Sequence, residues 1–235
     1  MATYVLIHGA WHGSWCWKRV RKALTAAGHE VFTPTLTGIG ERSHLLSPKI
    51  NLDTHIDDVV NLIQWEELSN VILCGHSYGG CVISGATDRM PEKIRALVYL
   101  DAFVLENGEC TLDLVPAPQR DGMREQAKTA GEGWKVPPIP AEVFNVNAAD
   151  RPWVNAQCTP QPLASFEQPI RLTGGLSRVK DVTHILAKGF VEGSPFPVCH
   201  DRAKAKGWKT RTVSCGHDVM LDQPEQLTRL LLELS

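Results

Sequence analysis

The stretch Leu73–Cys81, which reads LCGHSYGGC, decides the fold of this chain. Its centre matches the pattern G-x-S-x-G, with Ser77 as the serine. An apolar run at Val71–Cys74 predicts a buried strand before the serine, and Tyr78–Arg89 predicts a helix after it. Strand, sharp turn and helix are the context in which this pattern presents a serine hydroxyl on a strained elbow. A simple glycine turn is the alternative, and the two flanks favour a nucleophilic Ser77.

The same alternation of strand and helix runs through the first hundred residues. The strands predicted there are short and apolar throughout, at Thr3–His8, Glu30–Thr33, Val71–Cys74 and Ile94–Leu100. Uninterrupted apolar strands are typical of a parallel sheet that helices cover on both faces. The alternation returns late in the chain, with further strands predicted at Val182–Ala187 and Trp208–Val213. The sequence therefore predicts an α/β fold with a mostly parallel sheet.

Residues 103–176 interrupt this alternation. The segment is rich in proline and shows no evident strand; short helical patterns occur at Gln119–Ala130, Ala148–Gln157 and Leu163–Phe166. A segment that interrupts an α/β core between two strands is typical of a lid over the site. We therefore predict a helical cap at 103–176, inserted in a single domain that spans residues 1–235.

The composition excludes several classes of protein. The 235 residues are 43% apolar and 21% charged, with a net charge of −2 and no block of like charge. This balance predicts a globular core and argues against nucleic-acid or polybasic membrane binding. Seven scattered cysteines without a CxxC pair predict neither a metal site nor disulfides, and nothing suggests a cofactor. Without a signal-type N-terminus or a long apolar run, we predict a soluble cytoplasmic protein. The oligomeric state is not indicated.

A nucleophilic serine needs a base and donors for an oxyanion. His217, in SCGHD, follows the last predicted strand and so lies at the same sheet edge as Ser77. The oxyanion donors predicted are the backbone N–H of Tyr78 and that of Ala10, in the loop HGAWHG after the first strand. The remaining histidines are interpreted as structural, at His8 and His76, or as surface and core-edge residues, at His29, His44, His55, His184 and His200.

The loop HGAWHG, the elbow GHSYGG and the final GHD resemble the α/β-hydrolase superfamily. Within it they look like the small esterases and hydroxynitrile lyases of the plant methylesterase type, with bacterial pyrethroid-hydrolase-like relatives. The resemblance covers the whole chain and is strongest over residues 3–103 and 208–234. It implies Ser77 as nucleophile, His217 as base, and Ala10 and Tyr78 as oxyanion donors.

The acid of the triad departs from the usual family pattern. The family commonly has an Asp after the strand that follows the cap, and residues 185–192 contain none. Asp101 ends the strand before the cap, where haloalkane dehalogenases and certain lactonases of this fold carry their acid. We therefore predict Asp101, with Glu192 as the alternative and a helix or loop cap as the other explanation for Asp101. Asp218, directly beside His217, is poorly placed to bond it.

The predicted activity is hydrolysis of an uncharged carboxylic ester or lactone through an acyl-enzyme. Aromatic side chains around the cap favour an apolar acyl or aryl group over a charged one. The residues predicted to line the pocket are Trp11, His12, Trp15, Phe103, Trp134, Phe144 and Trp153, although some of them could only pack the cap on the core.

Two other functions remain open from the sequence. Hydroxynitrile lyases of this resemblance carry threonine at the position of Gly9 and lysine after the catalytic histidine, whereas this chain has Gly9 and Asp218. Both differences favour an esterase. A catalytically idle receptor for a small ligand could keep a complete triad, and turnover would distinguish it from an enzyme.

Overall fold

Eight strands are present in a computed structural model that describes residues 1 to 235. In chain order they are β1 Thr3–Ile7, β2 Glu30–Phe32, β3 Val71–His76, β4 Ile94–Leu100, β5 Lys135–Val136, β6 Gln161–Pro162, β7 Asp181–Ala187 and β8 Lys209–Val213. Six of them form one parallel sheet in the order β2-β1-β3-β4-β7-β8. The predicted parallel α/β sheet is therefore confirmed.

Ten α-helices connect or flank the strands. They are α1 Lys18–Ala26, α2 Leu52–Trp65, α3 Gly79–Arg89, α4 Thr111–Leu114, α5 Ala117–Thr129, α6 Arg151–Gln157, α7 Leu163–Glu167, α8 Phe196–Ala205, α9 Val219–Asp222 and α10 Pro224–Leu232. Right-handed crossovers put α1 on one face of the sheet and α2, α3 and α8 on the other, because the strand order reverses after β2. None of these helices has the length and apolarity needed to cross a membrane.

The sequence of α2 explains both its start and its orientation. The Asn51 side chain accepts from the N–H of Thr54 (3.1 Å), and the Thr54 hydroxyl accepts from the N–H of Asn51 (3.3 Å), which closes a capping box. Ile56, Val59 and Ile63 follow at helical spacing and are buried. The apolar stripe therefore turns towards the sheet and α3.

The carboxyl ends of the parallel strands meet at one edge of the sheet. Ser77 follows β3, Asp101 follows β4 and His217 lies four residues after β8. Since β3 pairs with β4, and β7 lies between β4 and β8, the three side chains come from neighbouring positions along that edge. Ligand sites of open α/β sheets lie at this edge.

The cap, residues 103–176, contains α4 to α7 and the antiparallel pair β5–β6. The expectation that it has no strand is wrong, because β5 and β6 are two residues each and too short to give a periodic pattern. Buried side chains of the cap, such as Leu112, Met123 and Phe166, belong to the same apolar cluster as the sheet. This continuity supports the prediction of a single domain. We call the rest of the chain the core.

Candidate active site

Ser77 lies on a tight turn between β3 and α3. Its φ of 54° is in the left-handed region, which is costly for a residue with a Cβ. The turn is held because the Ser77 N–H donates to Leu100 O (3.2 Å) and its carbonyl accepts from the N–H of Phe103 (3.2 Å). A Cβ at Gly79 would lie 2.8 Å from His8 O, so glycine alone lets α3 start this close to β1. The G-x-S-x-G pattern thus forms a strained elbow.

His217 is oriented by Asp101. Its Nδ1 lies 2.7 Å from Asp101 Oδ2, and the other carboxylate oxygen accepts from the N–H of Ala187 (2.9 Å). The Asp101 N–H donates to Ile185 O (2.7 Å), which fixes its backbone to β7. Since a carboxylate accepts hydrogen bonds, we assign the proton to Nδ1 and leave Nε2 as a free acceptor.

Burial sets the charge of the imidazole. His217 is 3% exposed, and desolvation lowers its pKa to about 4, so the ring is neutral at neutral pH. Burial also raises the pKa of Asp101, and the hydrogen bond from Ala187 opposes that rise. Three phenylalanine rings surround the imidazole with centroids 4.8 to 5.3 Å away: Phe144, Phe190 and Phe196. A neutral imidazole in apolar surroundings can accept a proton.

Two backbone N–H groups next to Ser77 have no acceptor in the protein. They belong to Ala10 and Tyr78, and both residues line the cavity that Ser77 and His217 also line. The arrangement matches the requirement for unpaired donors beside a nucleophile. No hydrogen bond joins Ser77 Oγ to His217 Nε2 in this structure; such bonds are often long without substrate and tighten in the complex.

The cavity has a volume of about 470 Å³ and lies between the sheet edge and the cap. Both parts of the chain line it, with core residues on one side and cap residues on the other. Its apolar wall includes Trp11, Phe103, Met123, Phe144, Phe166 and Phe190. A cavity of this size and composition suits a small, largely apolar molecule.

Some of the residues predicted for the pocket lie elsewhere. Trp11, Phe103 and Phe144 line the cavity, whereas four predicted residues do not: His12, Trp15, Trp134 and Trp153. The sequence could not show this, since an aromatic side chain near the site can face either the cavity or the neighbouring packing layer.

Each of these four residues has another partner. The Trp15 ring stacks on His12 (5.0 Å between centroids), and Trp153 meets Trp15 edge-on at 5.0 Å. Trp134 lies beneath the ammonium of Lys135, 5.3 Å from the ring centroid. Trp15, Trp134 and Trp153 therefore pack outside the cavity, and His12 turns into the core.

His12 and Asp218 form a buried ion pair behind the loop after β1 that carries Ala10. His12 Nε2 lies 3.0 Å from Asp218 Oδ2, and His12 Nδ1 lies 2.7 Å from Ala10 O. Both ring nitrogens thus face acceptors, which requires the doubly protonated, cationic ring. Burial disfavours both charges, yet the attraction between them raises the pKa of His12 and lowers that of Asp218. Asp218 thus faces His12, while His217 Nδ1 is bonded to Asp101.

Glu192, the alternative acid, is exposed and lines the rim of the cavity without a bond to His217. Asp101 is the carboxylate bonded to His217 Nδ1.

One group of side chains has the spacing of a metal site. Ligand atoms of His76, His217 and Asp218 lie within 4.8 Å of one another. His217 Nδ1 is bonded to Asp101, and Asp218 is paired with His12. That this chain needs no metal remains a prediction from the sequence.

His55, interpreted from the sequence as a surface or core-edge residue, is fully buried. Its Nε2 donates to Thr37 O (3.1 Å), so its Nδ1 accepts from the Tyr78 hydroxyl (2.8 Å). The side chain of a predicted oxyanion residue is thereby fixed. A signal was available, because His55 precedes Val59 and Ile63 by one and two helical repeats and shares their apolar stripe. His184 and His200 are buried too and lie 3.1 Å apart through their Nδ1 atoms.

Comparisons with known proteins agree with this geometry. A model of the α/β hydrolase family matches residues 4–230. A carbendazim-hydrolysing esterase of Nocardioides sp. (strain SG-4G) is 48% identical over 242 aligned positions that cover all of both chains. The chain belongs to the α/β hydrolase family.

Solved structures show the same fold at lower identity. An extracellular α/β-hydrolase from a Paenibacillus species has a TM-score of 0.88 at 21% identity, covering 100% of this chain and 99% of that one. A pyrethroid hydrolase from Sphingobium faniae has a TM-score of 0.76 at 22% identity, covering 99% and 96%. The fold and family predicted from the loop, the elbow and the final GHD are confirmed.

Proposed function

We propose that this α/β hydrolase cleaves uncharged carboxylic esters or lactones, with Ser77 as nucleophile, His217 as general base and Asp101 as the acid that orients it. The chain is an ester hydrolase of the carboxylesterase type, in line with its esterase relative. The hydrogen bond between His217 Nδ1 and Asp101 Oδ2, at 2.7 Å in a cavity that also exposes Ser77, is the observation that carries the proposal.

The first half of the reaction acylates the enzyme. Ser77 Oγ attacks the carbonyl carbon while His217 Nε2 takes its proton. The negative charge that develops on the carbonyl oxygen is stabilised by the N–H groups of Ala10 and Tyr78. Asp101 holds the imidazole in the required tautomer and stabilises the imidazolium. The intermediate collapses, the C–O bond to the alcohol breaks, and the leaving alkoxide takes the proton from His217.

The second half reverses these roles. His217 removes a proton from water, and the resulting hydroxide attacks the acyl carbon. The tetrahedral intermediate expels Ser77 Oγ, which regains the proton held by the imidazolium. The products are the carboxylic acid and free enzyme.

An apolar ester is the substrate class that the cavity favours. Its wall is largely aromatic and aliphatic, and the charged Glu192 lies at the rim. The relative at 48% identity is named as an esterase that hydrolyses carbendazim. We therefore propose carbendazim as the first specific substrate to test. The proposal includes no nucleic-acid or membrane partner, and the cytoplasmic location stays a prediction.

The esterase is favoured over the two alternatives. A lyase of the hydroxynitrile type lacks support from the relatives reported above, and the absence of the threonine and lysine that mark it stands against it. An idle receptor could keep the same triad, and the esterase relative at 48% identity favours an enzyme over it.

Hydrolysis of short-chain p-nitrophenyl esters and of carbendazim by the wild type and by Ser77→Ala tests the proposal. We expect turnover by the wild type and a loss of roughly 10⁴-fold or more in kcat for the variant. Turnover that survives in Ser77→Ala would overturn the assignment of the nucleophile, and a wild type inactive on every ester would overturn the class.

A further inference from the structure

Trp11 follows the proposed oxyanion donor Ala10, and the cap holds all three of its polar groups. The Trp11 N–H donates to Gln161 Oε1 (3.1 Å), and its indole N–H donates to Val136 O (3.1 Å). Its carbonyl accepts from the N–H of Thr159 (2.9 Å). A residue of the core loop is thus held by three separate points of the cap.

These contacts hold a conformation that Trp11 would not adopt alone. Its φ is 64°, in the left-handed region that disfavours a side chain with a Cβ. Such a conformation persists only where the surroundings over-determine it, and it is found at functional sites. The three hydrogen bonds from the cap supply that constraint.

The hydrogen bonds also fix a peptide plane next to the oxyanion site. The peptide between Ala10 and Trp11 is held on both sides, because its carbonyl accepts from His12 Nδ1 (2.7 Å) and its N–H donates to Gln161. The preceding peptide carries the unpaired Ala10 N–H, and its carbonyl, that of Gly9, accepts from His8 Nδ1 (2.8 Å). The two peptide planes share the Ala10 Cα, so a displacement of Trp11 would shift that atom and, with it, the Ala10 N–H.

Gln161 itself is held in one orientation. It is fully buried, and its Nε2 donates to Ser165 Oγ (3.0 Å), whose hydroxyl donates to Pro162 O (2.7 Å). The amide oxygen must therefore face Trp11. Val136 and Gln161 are directly opposite each other in the β5–β6 pair, so both residues of one cross-strand pair bind Trp11.

We propose that Gln161 is a positioning residue: together with Val136, its partner in the β5–β6 pair of the cap, it holds Trp11 and so keeps Ala10 where His8 can direct the Ala10 N–H at the oxyanion. The cap then completes the oxyanion hole in addition to closing the cavity. This inference rests on the proposed function, since an oxyanion hole matters only if Ser77 attacks a carbonyl.

The competing explanation is that Gln161 only fastens the cap to the core. Both explanations predict some loss of stability in Gln161→Leu, because the Trp11 N–H loses its buried acceptor. Only the positioning role predicts that binding of an oxyanion weakens more than binding of an uncharged ground-state analogue.

The test compares kinetics and two kinds of inhibitor in the wild type, Gln161→Leu, Gln161→Glu and Asn155→Ala. Asn155 Oδ1 also accepts from a backbone N–H of the cap, that of Ala141 (2.8 Å), but has no link to Trp11, and it is the control. A trifluoromethyl ketone probes the oxyanion hole, since Ser77 adds to its carbonyl and gives a hemiketal oxyanion. The matching alcohol probes the ground state.

For Gln161→Leu we expect kcat to fall by about 10- to 100-fold with KM changed by less than about 3-fold. Affinity for the trifluoromethyl ketone should fall by the same factor as kcat/KM, and affinity for the alcohol should stay within about 2-fold. Gln161→Glu keeps an acceptor for Trp11 and should recover part of kcat. Asn155→Ala should retain the wild-type kcat.

A fall in melting temperature with kcat within about 2-fold of wild type would overturn the proposal and leave Gln161 as a fastening residue. Equal losses for both inhibitors would also overturn it, because they indicate a distorted cavity. If the wild type hydrolyses no ester, the proposed function fails separately. In that case the role of Gln161 is tested by the rate at which a fluorophosphonate labels Ser77, because this reaction uses the oxyanion hole without ester turnover. Slower labelling of Gln161→Leu would support the positioning role. Equal rates in the wild type and Gln161→Leu would overturn the proposal.

Discussion

Every group to which we assign a chemical step follows a strand of the core sheet, whereas the cap provides cavity wall and hydrogen bonds. Ser77 and Asp101 lie directly after β3 and β4. The cap contacts the machinery from the other side, at Trp11 through Gln161 and at His217, whose N–H donates to Phe144 O (2.9 Å). We infer from this difference that the sheet supplies the reacting groups and that the cap adjusts their direction and selects the substrate.

The largest effect should come from the core carboxylate. Asp101→Asn should lower kcat by roughly 10⁴-fold, because the amide can leave the proton of His217 on the wrong nitrogen. Glu192→Gln, which changes the alternative acid at the cavity rim, should stay within about 3-fold of wild type. Hydrolysis of p-nitrophenyl esters measures both. Near-normal rates in Asp101→Asn would show that the acid lies elsewhere.

The comparison also extends to pH, because all nine histidines lie in the core and none in the cap. Burial lowers the pKa of His8 and His184 to about 3, and that of His55 and His217 to about 4. These rings are neutral in the folded chain, while an unfolded chain protonates them near pH 6.5. Their contribution to stability is therefore complete above pH 6.5 and is lost as pH falls towards 4 and 3.

Within that window, each of these four histidines should lower the free energy of unfolding by about 1.4 kcal/mol for every unit by which the pH falls. Four together amount to roughly 5 kcal/mol per unit, comparable to the stability of a typical domain. We expect cooperative acid unfolding between pH 6.5 and 4, measured by urea titration at several pH values. His55→Gln should reduce the dependence of the unfolding free energy on pH by about one proton, or about 1.4 kcal/mol per pH unit. An unfolding free energy that is flat from pH 7 to 5 would contradict this account.

The buried pair His12–Asp218 should have a smaller effect, confined to the core. Asp218→Asn should lower the unfolding free energy by about 3 kcal/mol, because it leaves a buried cation without its counter-charge. Lys204→Ala breaks an exposed ion pair with Asp201 (3.0 Å) and should change the free energy of unfolding by less than about 1 kcal/mol. Denaturant unfolding at pH 7.5 measures both. Equal effects would mean that the His12 ring is neutral in the folded protein.

The smallest effect should come from the cap wall. Met123, on α5, lines the cavity. Met123→Ala should raise KM for an apolar ester by about 10-fold and leave kcat within about 3-fold, since lost apolar contact weakens ground and transition states alike. Val198→Ala, an exposed position outside the cavity, is the control. A selective fall in kcat would instead place the cap residue in the chemistry and weaken the contrast between core and cap.

The contrast also explains what the sequence could predict. The apolar strands and the elbow around Ser77 are local patterns, and parallel strands bring their carboxyl ends to one edge, so Asp101 and His217 could be predicted together. The contacts of the cap are not local. Gln161 is 150 residues from Trp11, and it bonds that residue through a strand two residues long.

Direction of side chains was the other limit. The sequence predicts His12 in the pocket, but its partner Asp218 lies 206 residues away and turns the ring into the core.

One helix boundary also differs from the prediction. Helix α6 begins at Arg151, three residues after the predicted start, because Pro152 is favoured in the first turn of a helix. Local patterns therefore predicted the elements, whereas long-range polar pairing decided which side chains face the cavity.

The central claim is that Ser77 forms an acyl-enzyme, and acid-quenched mass spectrometry of the enzyme mixed with a p-nitrophenyl ester tests it most directly. We predict a burst of p-nitrophenol equal to the enzyme concentration, a mass increase of one acyl group, and its location on the peptide that contains Ser77. Turnover with no adduct, or with an adduct on another residue, would contradict the account.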